Sequence, residues 1–284
     1  MRDQAEKLRQ MVKTPPSSII KRSDKQARVI AITSGKGGVG KTNFTVNLAL
    51  ALAHLNQKVL VIDADLGMAN VDVVLGCSAP YSILNLLEEG VTLNDVISEG
   101  PLGIKFMSGG SGIYQLANLN ETQLGHLIGQ ITLFDRWADI ILIDTGAGIN
   151  KNVLNFVVAA DEVIIITTPE PTAITDAYAM MKAYIGNQGR APIKLVVNRV
   201  IEKNEGRLVA DKLIKVAIKS LGFVYEDHNV LKAVKTQQPF LLSFPDTVST
   251  RCLKQIAQQL LYGGSVPPAR GIGNFLTKFI KMWK

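Results

Sequence analysis

The pattern of apolar and polar positions changes type repeatedly along the chain, from short continuous apolar runs to helical periodicity. Apolar runs without alternation are typical of strands that are covered on both faces, as in a parallel sheet. These runs predict strands at 28–33, 58–63, 103–107, 139–144, 162–167, 193–198 and 222–225. Helical spacing between them predicts helices at 43–55, 121–134, 150–159, 172–186, 205–220, 230–235 and 247–262. The order predicts an α/β fold over 29–262, with a single doubly wound, mainly parallel sheet and helices on both faces.

The first 28 residues differ from this core and are predicted to form a basic arm and linker. Ala5, Leu8 and Met11 recur at helical spacing, and Pro15 and Pro16 then interrupt the pattern. Such a segment is either a docking peptide or a disordered terminus. The composition leaves both interpretations open.

The chain ends in a third kind of segment, which follows a predicted linker at 263–271 that is rich in glycine and proline. Residues 272–284 place apolar side chains on one helical face: Ile272, Phe275, Leu276, Phe279, Ile280 and Trp283. Lys278 and Lys281 fall on the opposite face, and the segment contains no acidic residue. These features are typical of an amphipathic helix that lies in a membrane interface. The alternative is a final helix that packs on the domain.

Charge is distributed unevenly between the ends of the chain and its core. The 284 residues carry a net charge of +7, with +5 in residues 1–28, +4 in residues 263–284 and −2 in the core. This placement favours ends that meet an acidic partner or an anionic membrane over a core that binds nucleic acid. The two cysteines form no C-x-x-C pair, and the first residues lack the apolar centre of a signal peptide. Both observations fit a cytoplasmic protein.

Residues 35–42 satisfy the phosphate-loop pattern G-x-x-x-x-G-K-[ST], between a predicted strand and a predicted helix. Glycines in such a loop let backbone amides surround phosphate oxygens at a helix N-terminus, where the helix dipole favours an anion. Lys41 is expected to contact the β- and γ-phosphates, and the Thr42 hydroxyl is expected to bind Mg²⁺. The predicted nucleotide-binding residues of this segment are Gly35, Lys36, Gly37, Gly38, Val39, Gly40, Lys41, Thr42 and Asn43.

Three aspartates lie near the ends of predicted strands, at the edge of an open parallel sheet that usually binds ligands. Asp63 ends the second predicted strand, Asp65 follows it, and Asp144 ends the strand at 139–144. A site for ATP and Mg²⁺ needs a carboxylate beside the metal and a group that positions the attacking water. Asp144 is therefore assigned to the metal, Asp65 to the water, and Asp63 to support of the metal region. The alternative for each aspartate is a turn or helix-capping role.

The sequence K-G-G-V-G-K-T at 36–42 resembles the deviant Walker A loop of the MinD/ParA ATPases, which are P-loop NTPases. This resemblance implies that Lys36 reaches across an ATP-bound homodimer to the phosphates of the second copy. It also implies that Lys36, Lys41 and Asp65 are catalytic, in slow hydrolysis of ATP to ADP and phosphate that requires Mg²⁺.

Further stretches resemble other motifs of the same family. Residues 63–67, D-A-D-L-G, resemble its switch I, and residues 144–148, D-T-G-A-G, resemble its switch II. The resemblance implies contacts with the base by Asn198 and Arg199, and a segment that wraps the adenine and consists of Tyr225, Glu226 and Asp227.

Within this family, residues 63–76 and 168–178 look like the flagellar-number regulators, the FlhG/FleN (YlxH) group. Part of the arm is similar to the motif with which that group stimulates an FlhF-type GTPase; its matching residues are Asp3, Gln4, Ala5, Leu8 and Arg9. The resemblance implies an ATP-dependent dimerising switch, peripheral on the inner face of the cell membrane, that regulates flagellum number and placement. Flagellar switch-complex proteins are further candidate partners.

Three other functions use a similar fold and are weighed against this one. A ParA-like partition ATPase would bind DNA non-specifically and needs a basic dimer body, whereas this core carries −2. An iron–sulfur carrier needs cysteines at the dimer seam, and the sequence offers no such pair. An interaction protein that binds nucleotide without turnover is disfavoured by the complete set of lysines and aspartates.

Overall fold

A computed structural model describes residues 25–65, 70–109, 115, 118–214 and 219–283. The predicted partner-activating residues of the arm, Asp3, Gln4, Ala5, Leu8 and Arg9, lie outside this range. Lys284 also lies outside it, as do 66–69, which include the last two residues of the predicted switch I.

One eight-stranded sheet forms the centre of the described structure, in the strand order β3-β4-β2-β5-β1-β6-β7-β8. The strands are β1 (Arg28–Ser34), β2 (Val59–Ala64), β3 (Ser98–Glu99), β4 (Lys105–Ser108), β5 (Ile140–Ala147), β6 (Glu162–Thr167), β7 (Ile193–Val200) and β8 (Lys219–Tyr225). Every pairing is parallel except that of β3 with β4, which is antiparallel. The predicted doubly wound, mainly parallel fold is confirmed. The two-residue edge strand β3 was not predicted, because so short a segment has no periodicity to detect.

Helices cover both faces of the sheet. They are α1 (Lys41–His54), α2 (Val71–Leu75), α3 (Leu93–Val96), α4 (Glu121–Ile131), α5 (Phe134–Trp137), α6 (Lys151–Ala159), α7 (Pro171–Gly186), α8 (Lys203–Ile214), α9 (His228–Lys235), α10 (Phe240–Ser243), α11 (Val248–Tyr262) and α12 (Gly271–Trp283), with short 3₁₀ helices at Ile83–Leu87 and Pro101–Gly103. No helix among the described residues is long and apolar enough to cross a bilayer.

Two predicted boundaries are wrong. The predicted helix 205–220 ends at Ile214, and Lys219 and Ser220 belong to β8, where they pair with Lys194 and Leu195 of β7. Pairing with a strand that is distant in sequence overrides the local helical pattern there. The predicted helix 121–134 is instead the two helices α4 and α5. The short helices α2, α3 and α10 were not predicted, because four or five residues show no helical period.

The C-terminal helix α12 packs on the domain. It contacts α6, α4 and β1, and its apolar residues Ile272, Phe275, Leu276, Phe279 and Ile280 are buried in the core. The ring of Phe279 stacks on Phe156 of α6 at a centroid distance of 4.4 Å, and it lies 5.6 Å from the ring of Trp283. The membrane-facing interpretation of these side chains therefore does not describe this conformation. The packed final helix, which the sequence left as the alternative, does.

Two buried carboxylates hold the beginning of α12. Asp135 accepts hydrogen bonds from the amides of Ala27 at 3.2 Å and Ile272 at 2.9 Å. Asp161 accepts from the amides of Val29 at 3.1 Å and Arg270 at 3.2 Å. Burial raises the pKa of both carboxyl groups. The predicted linker at 263–271 is thus tied to the domain at its C-terminal end.

Candidate functional site

The phosphate loop connects the end of β1 to the first turn of α1, as its sequence predicts. Gly38 and Gly40 have φ angles of +75° and +91°, which favour glycine because a Cβ would be strained there. A Cβ at Gly35 would lie 2.2 Å from the carbonyl oxygen of Asp176 in α7, so the loop also needs glycine for close packing. The loop therefore presents backbone at a helix N-terminus, which is an anion-binding arrangement.

Asp144 lies in the interior beside this loop. Its side chain is buried, and Oδ1 accepts a hydrogen bond from Thr45 Oγ1 at 3.0 Å. Burial raises the pKa of Asp144 to about 6, although the positive charge of Lys41 and the hydroxyl of Thr42 partly lower it. Its second oxygen, Oδ2, is buried and has no hydrogen bond of normal geometry within the described part of the chain. A buried, unsatisfied carboxylate oxygen fits a position next to Mg²⁺ or to a water bound by it.

Thr45 is a site residue that the sequence analysis missed. Its hydroxyl bonds both the Lys41 carbonyl oxygen, at 3.0 Å, and Asp144. A threonine in the interior of a predicted helix looks like any buried residue, and only its spacing of four after Lys41 could have drawn attention to it. Thr45 orients Asp144 toward the phosphate loop.

Asp63 has a structural role in addition to its predicted role in supporting the metal. Its Oδ1 accepts from the amide of Asp65 at 3.0 Å, and its Oδ2 accepts from the amides of Asn70 at 2.8 Å and Val71 at 3.0 Å. Burial raises its pKa, and these amides oppose that effect. Through these bonds Asp63 shapes the segment that carries Asp65, as in the turn-forming alternative, and its support of the metal region stays a prediction.

Asp65 and the C-terminal end of β5 lie next to each other. A Cβ built on Gly146 would be 3.5 Å from Asp65 Oδ1, and one built on Gly37 would be 4.0 Å from the Ala147 side chain. The phosphate loop, the described part of the predicted switch I with Asp65, and the predicted switch II therefore meet at one edge of the sheet, where β2 and β5 place Asp63 opposite Asp144.

Lys36 is held by its own chain in this conformation. Its Nζ bonds Glu170 Oε2 at 2.8 Å and Thr172 Oγ1 at 2.9 Å, and this lysine lowers the pKa of Glu170. Glu170 and Thr172 lie at the start of α7, in a stretch that the sequence analysis used only for its resemblance. The reach of Lys36 across a dimer stays a prediction.

The predicted base-contacting residues lie at the same edge of the sheet and differ in their contacts and exposure. Asn198 Nδ2 donates to the Val39 carbonyl oxygen at 2.8 Å, which ties β7 to the phosphate loop. Arg199 is exposed and has a φ of +56°. Base contacts by either residue stay a prediction.

The predicted adenine-wrapping segment lies beside this region, at the end of β8. Tyr225 ends β8, where it is paired with Val200 of β7, and Glu226 donates its amide to the Val200 carbonyl oxygen at 2.9 Å. Asp227 accepts from the Asn229 amide at 2.9 Å and from Ser249 Oγ at 3.0 Å. Asp227 is therefore a helix cap of α9, and its predicted adenine contact must be made alongside those two bonds.

Comparison with known proteins agrees with this geometry. The family model of the CobQ/CobB/MinD/ParA nucleotide binding domain matches residues 30–240. The antiactivator FleN of Pseudomonas aeruginosa is 38% identical over 240 residues, which cover 82% of this chain and 86% of FleN. The flagellum site-determining protein YlxH of Helicobacter pylori is 34% identical over 296 residues, which cover 99% of each chain. The cell division protein MinD of Aquifex aeolicus superposes with a TM-score of 0.69 at 28% identity, over 86% of this chain and all of that one (100%).

Proposed function

The chain belongs to the CobQ/CobB/MinD/ParA family of nucleotide-binding domains, and from this premise we propose that it is an ATP-driven dimerising switch that regulates flagellum number and placement. The observation that carries the ATPase assignment is the buried Asp144 Oδ2, which has no hydrogen-bond partner among the described residues and lies beside Lys41 and Thr42 of an intact phosphate loop. The similarity to FleN and YlxH over most of both chains supports the flagellar role.

The proposed reaction is attack of water on the γ-phosphate, in which the protein mainly positions groups and neutralises charge. Lys41 binds the phosphates, Thr42 and Asp144 would hold Mg²⁺, and Asp65 orients the water. Mg²⁺, when bound, supplies positive charge to the phosphate oxygens. The structure of a MinD from Pyrococcus horikoshii was solved with Mg-ADP. That protein is 24% identical to this chain, so the likeness is one of fold alone.

Dimerisation requires Lys36 to leave its partners at the start of α7. Both Lys36 and Glu170 are partly exposed, and exposed ion pairs contribute little to stability. Lys36 is therefore free to exchange Glu170 and Thr172 for the phosphates of a second copy. A multiply charged phosphate group is the stronger acceptor for this lysine.

Membrane association requires α12 to leave the groove in which it packs, which is formed by α6, α4 and β1. The freed helix is too short to span a bilayer and would lie in the interface through Ile272, Phe275, Leu276, Phe279, Ile280 and Trp283. An ATP-bound dimer carries two such helices, so the second one binds at high effective concentration. Membrane binding is thereby linked to ATP although α12 contains no nucleotide-binding residue.

The proposed output passes through a partner GTPase of the FlhF type, contacted by the arm, with flagellar switch-complex proteins as further partners. This part of the proposal is supported by the sequence of the arm and by the similarity to YlxH over the whole chain.

The test compares the parent with Lys36→Gln, Lys41→Ala and Asp65→Ala in ATP hydrolysis, light scattering and vesicle sedimentation with ATP or ADP. Lys41→Ala should lose nucleotide binding, and Asp65→Ala should bind ATP without turnover. Lys36→Gln should stay monomeric and off the vesicles with α12 intact. Lys58→Gln, an exposed lysine at the opposite edge of the sheet, is the matched control and should behave as the parent. Parental hydrolysis by Asp65→Ala removes that residue from the mechanism, and equal vesicle binding by monomer and dimer contradicts the switch.

A further inference from the structure

Four neighbouring strands carry a row of charged side chains at the edge of the sheet opposite to the phosphate loop. Arg28, Glu162 and Lys219 are the first residues of β1, β6 and β8, and Lys194 is the second residue of β7. In the strand order β1-β6-β7-β8 these charges read positive, negative, positive, positive. Lys194 and Lys219 stand directly opposite each other in the register of β7 and β8.

The row has more positive than negative charge. Glu162 is fully buried and pairs with both Arg28 Nη2 and Lys194 Nζ, the latter at 2.7 Å. One carboxylate thus faces two cations whose side chains are only 6% and 12% exposed. Lys219 adds a further positive charge beside Lys194, and like charges opposite each other in a sheet are unfavourable.

Carbonyl oxygens at the C-terminal end of α11 accept hydrogen bonds from two of these cations, Arg28 and Lys219. Arg28 donates to the Leu260 carbonyl oxygen at 3.2 Å, and Lys219 donates to that of Gly263 at 3.0 Å, where the helix dipole is negative. Burial lowers the pKa of Lys194; Glu162 raises it, and Arg28 and Lys219 lower it further. Lys194 therefore shares Glu162, its carboxylate partner in the row, with Arg28, and a further cation, Lys219, stands beside it.

A cavity of about 90 Å³ opens at this point, lined by Lys194, Lys219, Gln259 and the residues 263–265. One water molecule requires roughly 10–15 Å³ on a comparable measure, so the cavity has room for a group of several heavy atoms. Each lysine ammonium has three protons to donate. The acceptor for Lys194 is the Glu162 carboxylate, and the acceptor for Lys219 is the Gly263 carbonyl oxygen. Within the described part of the chain, each ammonium therefore has protons left to donate to a ligand in the cavity.

We propose that this cavity binds a phosphate group, held by Lys194 and Lys219 and supplied either as free inorganic phosphate or as the headgroup of an anionic phospholipid. The site is separate from the nucleotide site, because the two lie at opposite edges of the sheet. Residues 263–265 form one part of its wall and begin the segment that leads to α12. An anion bound to Lys194 and Lys219 therefore ties these residues to β7 and β8.

The test is equilibrium dialysis of the full chain against labelled inorganic phosphate. Mg²⁺ and a non-hydrolysable ATP analogue fill the phosphate loop, and potassium chloride keeps the ionic strength constant. The parent should bind one phosphate per chain. Lys219→Met, a change at an exposed side chain, should weaken binding by at least about tenfold, since it removes a charged hydrogen-bond donor. Lys194→Met should abolish binding, Lys219→Arg should retain it, and Lys182→Met on α7 is the matched control.

Vesicles of phosphatidylglycerol then separate the two sources. Release of the labelled phosphate from the parent by these vesicles identifies the headgroup as the occupant, and retention identifies free phosphate. The proposal is overturned if the parent binds no phosphate beyond the nucleotide site, or if Lys219→Met and Lys194→Met proteins with parental circular dichroism bind as much as the parent. Neither result bears on ATP hydrolysis, so this proposal and the proposed function fail independently.

Discussion

Removal of the Phe156 ring should release α12 without nucleotide while leaving the helix itself unchanged. Phe156 lies on α6, is 1% exposed, and stacks on Phe279 at 4.4 Å and on Phe275 at 6.3 Å. Phe156→Ala therefore weakens the packing of α12 in its groove and leaves every residue that would enter a membrane unchanged. This separates docking from membrane affinity, which substitutions within α12 cannot do.

The magnitude follows from the two ring contacts. Aromatic pairs contribute about 0.5–1.5 kcal/mol each beyond the area they bury, so two of them contribute roughly 1–3 kcal/mol to docking. This corresponds to an increase of about 5- to 150-fold in the population with α12 released. Loss of a buried phenylalanine also lowers the global free energy of unfolding by about 3–5 kcal/mol.

The assay is sedimentation with anionic vesicles without nucleotide, together with hydrogen exchange of the amides in α12. Phe156→Ala should bind vesicles several-fold more than the parent and exchange these amides faster. The control is Phe106→Ala, whose ring is equally buried but lies in the core on the opposite face of the sheet. It should lose similar global stability and keep α12 docked. Vesicle binding at the parental level by folded Phe156→Ala protein, or an equal increase for Phe106→Ala, refutes the reasoning.

Three further predictions concern the catalytic residues and the arm. Because burial raises the pKa of Asp144 to about 6, ionised Asp144 destabilises the nucleotide-free fold above that pH, and stability should rise as pH falls from 7 toward 5. Asp144→Asn should raise the free energy of unfolding at pH 7 by at most about 3 kcal/mol, and hydrolysis should be lost. In thermal melts it should remove the part of the pH dependence that Asp144 contributes and keep the part due to Asp63, Asp135 and Asp161; a pH profile identical to that of the parent contradicts this. Thr45→Val should lower hydrolysis about 10- to 100-fold by removing a charged hydrogen bond, and Thr45→Ser should restore it; parental turnover by the valine variant rules out an orienting role. A peptide of residues 1–13 should change the GTPase rate of an FlhF-type partner, unlike its scrambled control; an effect only of the full chain shows that the arm is not the activator.

Local features of the sequence determined the fold and the position of the phosphate site. The continuous apolar runs predicted seven of the eight strands, because strands covered on both faces need apolar residues throughout. The loop was predictable for a similarly local reason, since the positive φ angles at Gly38 and Gly40 favour glycine. Asp144 followed from its place at the end of the predicted strand 139–144, although β5 itself continues to Ala147.

Only the tertiary structure decided what α12 and the charged side chains contact. An amphipathic helix suits a protein groove and a membrane interface equally well, so its sequence cannot choose between them; the choice depends on Phe156 and on the carboxylates Asp135 and Asp161, far away in the chain. Lys36 likewise meets Glu170 through the packing of α7 against the phosphate loop. Such pairings depend on which distant elements the sheet order places together, and a local pattern contains no information about that order.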